Sequence, residues 1–229
     1  MPFDDYQWTE DNPAGYGNAM GRYKTQVEWS FLQECLPPAP SRILDIGGGA
    51  GRFAVPLARL GYPVTVVDRS AAALRVLRET RTNGIRVIEG DFLKITSDEV
   101  YDAVIAIESV LYFVEIDLRA LFCRVGSQLR SGRPFIFTGL NSKSWRYQLH
   151  RLRGSNAPRY RVGTPAAYGE ALRQARFRVA KMRGFHWTPL PVTSDSPAVP
   201  VFAAAERHLR LDRWVEQSPW LLVAATRSD

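Results

Sequence analysis

Asp45, Gly47, Gly48, Gly49, Gly51 and Asp68 are the residues of this chain whose types and spacing could do chemistry. They share one stretch, SRILDIGGGAGRFAVPLARLGYPVTVVD, running from Ser41 to Asp68. Glycines let a backbone approach a ligand where any Cβ would collide. The N-terminus of a helix placed after them offers unpaired N–H groups. A carboxylate about 20 residues on, closing the next strand, is placed to accept hydrogen bonds from ribose hydroxyls. The stretch predicts an adenosine-containing ligand at the carboxyl ends of parallel strands.

The elements that must position these residues follow from the surrounding pattern. Ile43, Leu44 and Ile46 form a short apolar run without helical period, which reads as a buried strand. Arg52 to Leu60 reads as a helix stopped by Gly61, and Val64 to Val67 as a second strand ending on Asp68. Upstream, Met20, Tyr23, Val27, Phe31 and Cys35 recur at helical spacing, predicting a helix over about 21–36 that ends at Pro37-Pro38. Downstream come a helix over 71–80 capped by Ser70, a strand over 85–88, a strand over 104–107, and an amphipathic helix from Leu118 to Leu129. A fifth strand covers 135–137, Thr164-Pro165 starts a helix, and strands follow over 177–184 and 220–225, with a helix near 198–211 between them.

A dinucleotide fingerprint, G-x-G-x-x-G, would need a third glycine where Arg52 stands. What is present, Asp45-Ile46-Gly47-Gly48-Gly49-Ala50-Gly51, resembles the first motif of the class I methyltransferases that use S-adenosylmethionine. Asp45 would repel a pyrophosphate but suits the ammonium of a methionine moiety. The resemblance covers about 43–137 well and the C-terminal third only by strand order.

It implies an α/β fold with a seven-stranded, mostly parallel Rossmann-like sheet. The strand order would be 3-2-1-4-5-7-6 with the last strand antiparallel, helices on both faces and cap insertions. S-adenosyl-L-methionine is the implied cofactor, with S-adenosyl-L-homocysteine as product. The implied cofactor-binding set is Tyr23, Asp45, Gly47, Gly49, Gly51, Asp68, Arg69, Asp91, Phe92 and Glu108, with Arg22 beside Tyr23 as an alternative for the methionine carboxylate. Asp91 and Phe92 fit the adenine amino group and ring. Glu108 and Tyr112, at the end of the fourth strand, fall where relatives face the methyl group and substrate. His186 and His150 are further candidates for a base. Catalysis is thus expected from Glu108, His186 and Tyr112; packing remains an open reading for Tyr23 and each histidine.

The 229 residues suffice for one α/β domain, read as 1–229, with a lid and helix over 1–38 and cap insertions at 141–163 and 187–218. Phe3, Tyr6, Trp8 and Tyr16 form either an aromatic flap or a frayed tail. Net charge is +7, which raises the question of nucleic acid. The arginines are scattered, apart from a cluster of Arg146, Arg151, Arg153, Arg159 and Arg161. The Asn/Asp-Pro-Pro-Tyr and Pro-Cys signatures of DNA and RNA enzymes are missing, so a small-molecule acceptor is expected, such as a natural-product intermediate or an aminosugar. RNA methylation, or cofactor binding without catalysis, are the alternatives. Cys35 and Cys123 sit in apolar helical patterns and are expected to pack, in a reduced cytoplasmic setting. No His-x-His or Cys-x-x-Cys spacing suggests metal, no apolar run is long enough for a membrane span, and a homodimer is allowed for.

Overall fold

The computed structural model describes residues 17–152 and 160–228. The aromatics of the first sixteen residues, and Arg153 and Arg159, lie outside them. In chain order the elements are α1 (Ala19–Cys35), β1 (Ile43–Ile46), α2 (Ala54–Arg59), β2 (Val64–Asp68), α3 (Ala71–Glu79), β3 (Ile85–Glu89) and β4 (Ala103–Ala106). Then follow α4 (Leu118–Gln128), β5 (Pro134–Leu140), α5 (Trp145–Leu152), α6 (Pro165–Gln174), β6 (Phe177–Phe185), α7 (Val199–His208) and β7 (Trp220–Arg227).

The seven strands form one sheet in the order β3-β2-β1-β4-β5-β7-β6. The first five are parallel, and β7 runs antiparallel to both β5 and β6. The expected Rossmann-like order therefore holds. β1 and β4 are buried at every position because helices cover both faces of the sheet. One apolar cluster, around Phe122, Phe135, Phe137 and Tyr168, fills one face; another, around Phe31, Leu57, Ile105 and Phe185, fills the other. Caps form as the sequence predicts: Ser70 Oγ accepts from Ala73 N–H at 3.2 Å and Thr164 Oγ1 from Ala167 N–H at 3.0 Å.

Four differences matter. α2 begins at Ala54 rather than Arg52, because Gly51 to Phe53 are still turning, which directs Arg52 toward Thr25 and Glu28 of α1. β5 runs to Leu140 because β7 pairs along its whole length. The expected helix over 198–211 stops at His208; Arg210 takes a left-handed conformation (φ +52°) before a short 3₁₀ turn. Cys123, expected to pack, is exposed on the outer side of α4, whereas Cys35 packs against the second cluster. Among the described residues no helix is long and apolar enough to cross a membrane.

Candidate active site

β1 ends on Asp45-Ile46, and the chain then turns through Gly47 and Gly51, at φ +71° and +90°, where side chains are strained. A Cβ on Gly47 would stand 2.5 Å from Ser109 Cβ, and one on Gly48 2.5 Å from Asp45 Oδ2. The loop is thus pressed against the segment after β4 on one side and Asp45 on the other. Asp68 ties it down: Oδ2 accepts from Gly49 N–H and Oδ1 from Ser70 N–H, each at 2.8 Å. Burial raises the Asp68 carboxyl above the usual range, opposed by these hydrogen bonds. A carboxylate has about four acceptor positions, so with the Gly49, Ser70 and Arg69 N–H groups on it Asp68 retains room for a ligand hydroxyl.

Asp45 is 3% exposed, and its Oδ2 has no hydrogen-bond partner among the described residues. Burial first, and Asp68 second, push this carboxyl up to about 7 against the pull of Arg52. A buried acceptor without a donor, beside a glycine loop, fits an ammonium group. The methionine end of S-adenosylmethionine would supply one there. Because an ammonium stabilises the carboxylate, binding of S-adenosylhomocysteine is expected to release a proton near neutral pH and to weaken as pH falls below about 7. Calorimetry in buffers of different ionisation enthalpy measures that proton; Asp45→Asn should abolish it, and a buffer-independent wild type would refute the assignment.

Next to the cradle lies a buried group of charges, of which the sequence reading named Glu108 and missed Lys24, Glu28 and Arg52. α1 turns Lys24 and Glu28 inward, one helical turn apart. Lys24 Nζ reaches Glu108 Oε1 at 2.8 Å; Arg52 reaches Glu28 Oε2 at 2.5 Å and Glu108 Oε2 at 3.5 Å. Glu28 is fully buried, and burial raises its carboxyl against the pull of Arg52. Glu108 itself holds a left-handed backbone (φ +49°), fixed by its N–H on Thr138 Oγ1. Non-glycine residues rarely adopt this conformation, and such strain concentrates at functional sites.

The third part is aromatic. Trp220 opens β7, in register with Leu140 of β5 and Phe185 of β6. Lys24 Nζ lies 4.4 Å from its ring centroid, His186 stacks on it at 5.2 Å, and Tyr112 meets it edge-on at 5.9 Å. His186, also left-handed (φ +68°), is 0% exposed. Burial, then the nearby Arg146 and Lys24, hold its imidazole down at about 3, so it is neutral at physiological pH.

The structure brings Asp45, Asp68, the glycines and Glu108 together at the carboxyl ends of the strands. Tyr23 is committed elsewhere: its hydroxyl donates to Glu206 Oε2 at 2.6 Å and accepts from His186 N–H at 3.1 Å, tying α1 to α7. Arg22 is exposed and pairs with Asp195 at 3.5 Å, so Lys24 is the cation of α1 that faces the site. Arg69 is exposed beside Asp68. Asp91 shapes its turn through Leu93 N–H at 3.0 Å, and Phe92 is 5% exposed within the core. The side chain of His150 lies outside the described residues. Among the described residues no group of His, Cys, Asp and Glu could hold a metal ion.

Comparison with known proteins agrees with this geometry. Residues 43–132 match a family described as a methyltransferase domain. Residues 43–132 are thus similar to a methyltransferase domain, and the whole sheet has the strand order of the class I, Rossmann-like methyltransferase fold. The ubiquinone biosynthesis O-methyltransferase of Paramagnetospirillum magneticum is 27% identical over 166 residues, 66% of this chain and 65% of that protein. The chain spans less than two thirds of the length of the first curated relatives it matches. Among solved structures, an S-adenosylmethionine-dependent methyltransferase from Mesorhizobium loti superposes with a TM-score of 0.67 at 23% identity, covering 90% of this chain and 100% of that one. Magnesium protoporphyrin IX methyltransferase from Synechocystis, solved with bound S-adenosylhomocysteine, gives 0.63 at 17% identity, covering 92% and 86%.

Proposed function

We propose that this protein transfers the methyl group of S-adenosylmethionine to an oxygen or nitrogen of a small-molecule acceptor. The observation that carries the reading is the orphaned Asp45 carboxylate in a glycine cradle that Asp68 holds shut. The cofactor supplies a methyl group already activated on a sulfonium. The chain's own work is to align the partners and exclude water. Asp45 and Asp68 hold the amino-acid and ribose ends; Trp220, Tyr112 and His186 form an aromatic wall for the acceptor. The similarity to O-methyltransferases supports oxygen, and a hydroxylated ring suits such a wall.

The two arginines of the cluster whose side chains are described, Arg146 and Arg161, do not favour RNA. Arg146 donates to the carbonyls of Thr188 and Leu190, and Arg161 to those of Phe113, Val114 and Ile116. These guanidiniums tie loops together instead of presenting charge to phosphates. Incubation with deuteromethyl-labelled cofactor and separate panels of phenols, amines and RNA tests the proposal by mass spectrometry. Label is expected in a small molecule. Label confined to RNA, with steeply salt-dependent RNA binding, would overturn it.

A further inference from the structure

We infer that the outward side of α7 and the turn after it form a membrane-docking surface. Phe202, Leu209 and Trp214 seat the protein on an anionic lipid bilayer, beside Arg207, Arg210 and Arg213. The inference does not depend on the methyl-transfer reading and holds whatever the acceptor is.

The first observation is a helix that is apolar on both sides. Val199 and Ala203 turn inward, where they cluster with Met20 and Tyr23 of α1, and the buried Glu206 completes that side. The opposite side carries Val201, Phe202, Ala204, Ala205 and His208, all of them exposed. A helix apolar all round is ordinarily buried, and a solvated one keeps polar side chains outward. α3 is the ordinary case in this chain, with Arg75, Arg78 and Glu79 on its exposed side. On α7, Phe202, Ala205 and Leu209 stand at i, i+3 and i+7 and so share one stripe. Val201 is 68% exposed, and Leu209 and Trp214 61% each. A concentration of exposed apolar side chains of this kind marks a contact surface.

The second observation is the sign of the charge beside it. Between residues 191 and 217 the basic side chains are Arg207, His208, Arg210 and Arg213, all exposed. None of the three guanidiniums has a hydrogen bond or ion pair among the described residues. Every acid of the same stretch is engaged. Asp195 faces Arg22 at 3.5 Å, Asp212 faces Arg183 at 3.9 Å, and Glu216 pairs with Lys143 at 3.0 Å. Glu206 accepts from the Tyr23 hydroxyl at 2.6 Å and from Trp187 N–H at 3.2 Å. Arg207 and His208 suit the carbonyl end of α7, but Arg210 and Arg213 lie beyond it and need another reason.

Together the two features select the partner. A two-fold contact between copies of this chain sets the patch against itself, so arginine would meet arginine with no unengaged acid of this stretch to answer it. Anionic headgroups do answer it. Arginine stems lie along apolar surface while their guanidiniums stay at the level of the phosphates, and Phe, Leu and Trp enter the boundary beneath. Tryptophan is enriched at that depth.

Co-sedimentation with vesicles of phosphatidylglycerol and phosphatidylcholine, against phosphatidylcholine alone, tests the surface. The wild type is expected to bind the anionic vesicles and not the neutral ones. Phe202→Ser and Trp214→Ser leave the net charge unchanged, and each should weaken binding by about tenfold or more. Arg207→Gln with Arg213→Gln should weaken it roughly twentyfold, whereas Arg75→Gln with Arg78→Gln on α3, an equal change in net charge, should leave it nearly unchanged. S-adenosylhomocysteine affinity should be the same in all four. Should Phe202→Ser lower Tm, Trp214→Ser and the arginine pair still decide the matter. Wild type that ignores anionic vesicles would overturn the inference. So would serine variants that bind as well as wild type, or equal losses from the two arginine pairs, since net charge alone would then explain binding. A dimer in sedimentation velocity that Trp214→Ser dissolves would also overturn it, making this side of α7 a contact between copies.

Discussion

Asp68→Ala is expected to weaken S-adenosylhomocysteine binding by roughly ten- to a hundredfold, because hydrogen bonds to a charged acceptor contribute about 1.5–3 kcal/mol. Two losses combine. The carboxylate no longer receives the ribose hydroxyls, and Gly49 N–H and Ser70 N–H lose their 2.8 Å acceptors. The second loss loosens the loop even without ligand, so part of the affinity falls through lost preorganisation. Titration calorimetry measures the first effect, and amide hydrogen exchange at Gly49 and Ser70 the second. Unchanged affinity would remove the ribose role; unchanged exchange would show that the loop stands without Asp68.

Lys24→Met should be among the most destabilising single changes in the chain. The Lys24 and Glu108 side chains are 8% and 4% exposed, and Glu28 is fully buried. Without Lys24, Arg52 would have to serve both Glu28 and Glu108. Breaking a buried pair from one side costs about 3–5 kcal/mol, a large part of a typical domain's stability. Glu108→Gln in the same chain should restore much of the loss, since Arg52 then faces one buried carboxylate, Glu28, instead of two. Urea denaturation of the four proteins in this cycle gives the coupling energy. Costs that add to within about 0.5 kcal/mol would show that the two charges do not depend on each other.

Strand positions, the caps at Ser70 and Thr164, and the glycine cradle were legible because each depends on residues close in sequence. Lys24 and Glu28 were not. An i, i+4 pair of opposite charges is the signature of a solvated helix face, and nothing local marks this one as buried. Arg52 read as the first turn of a helix until Gly51 to Phe53 proved to be turning. Tyr23 was placed on the correct face of α1, but its partner Glu206 lies 183 residues away.

The division between the two sources of order follows from distance along the chain. The sequence alone determined the half of the site proposed to hold the cofactor, because one strand, one loop and the next strand carry both carboxylates within about 25 residues and parallel pairing leaves them side by side. Only the tertiary structure decided the other half. β7 inserts antiparallel between β5 and β6, bringing Trp220 level with Leu140 and Phe185 and so beside His186, Tyr112 and Lys24. No periodicity encodes that meeting; it exists because burying both faces of the last strand leaves it no other place in the sheet.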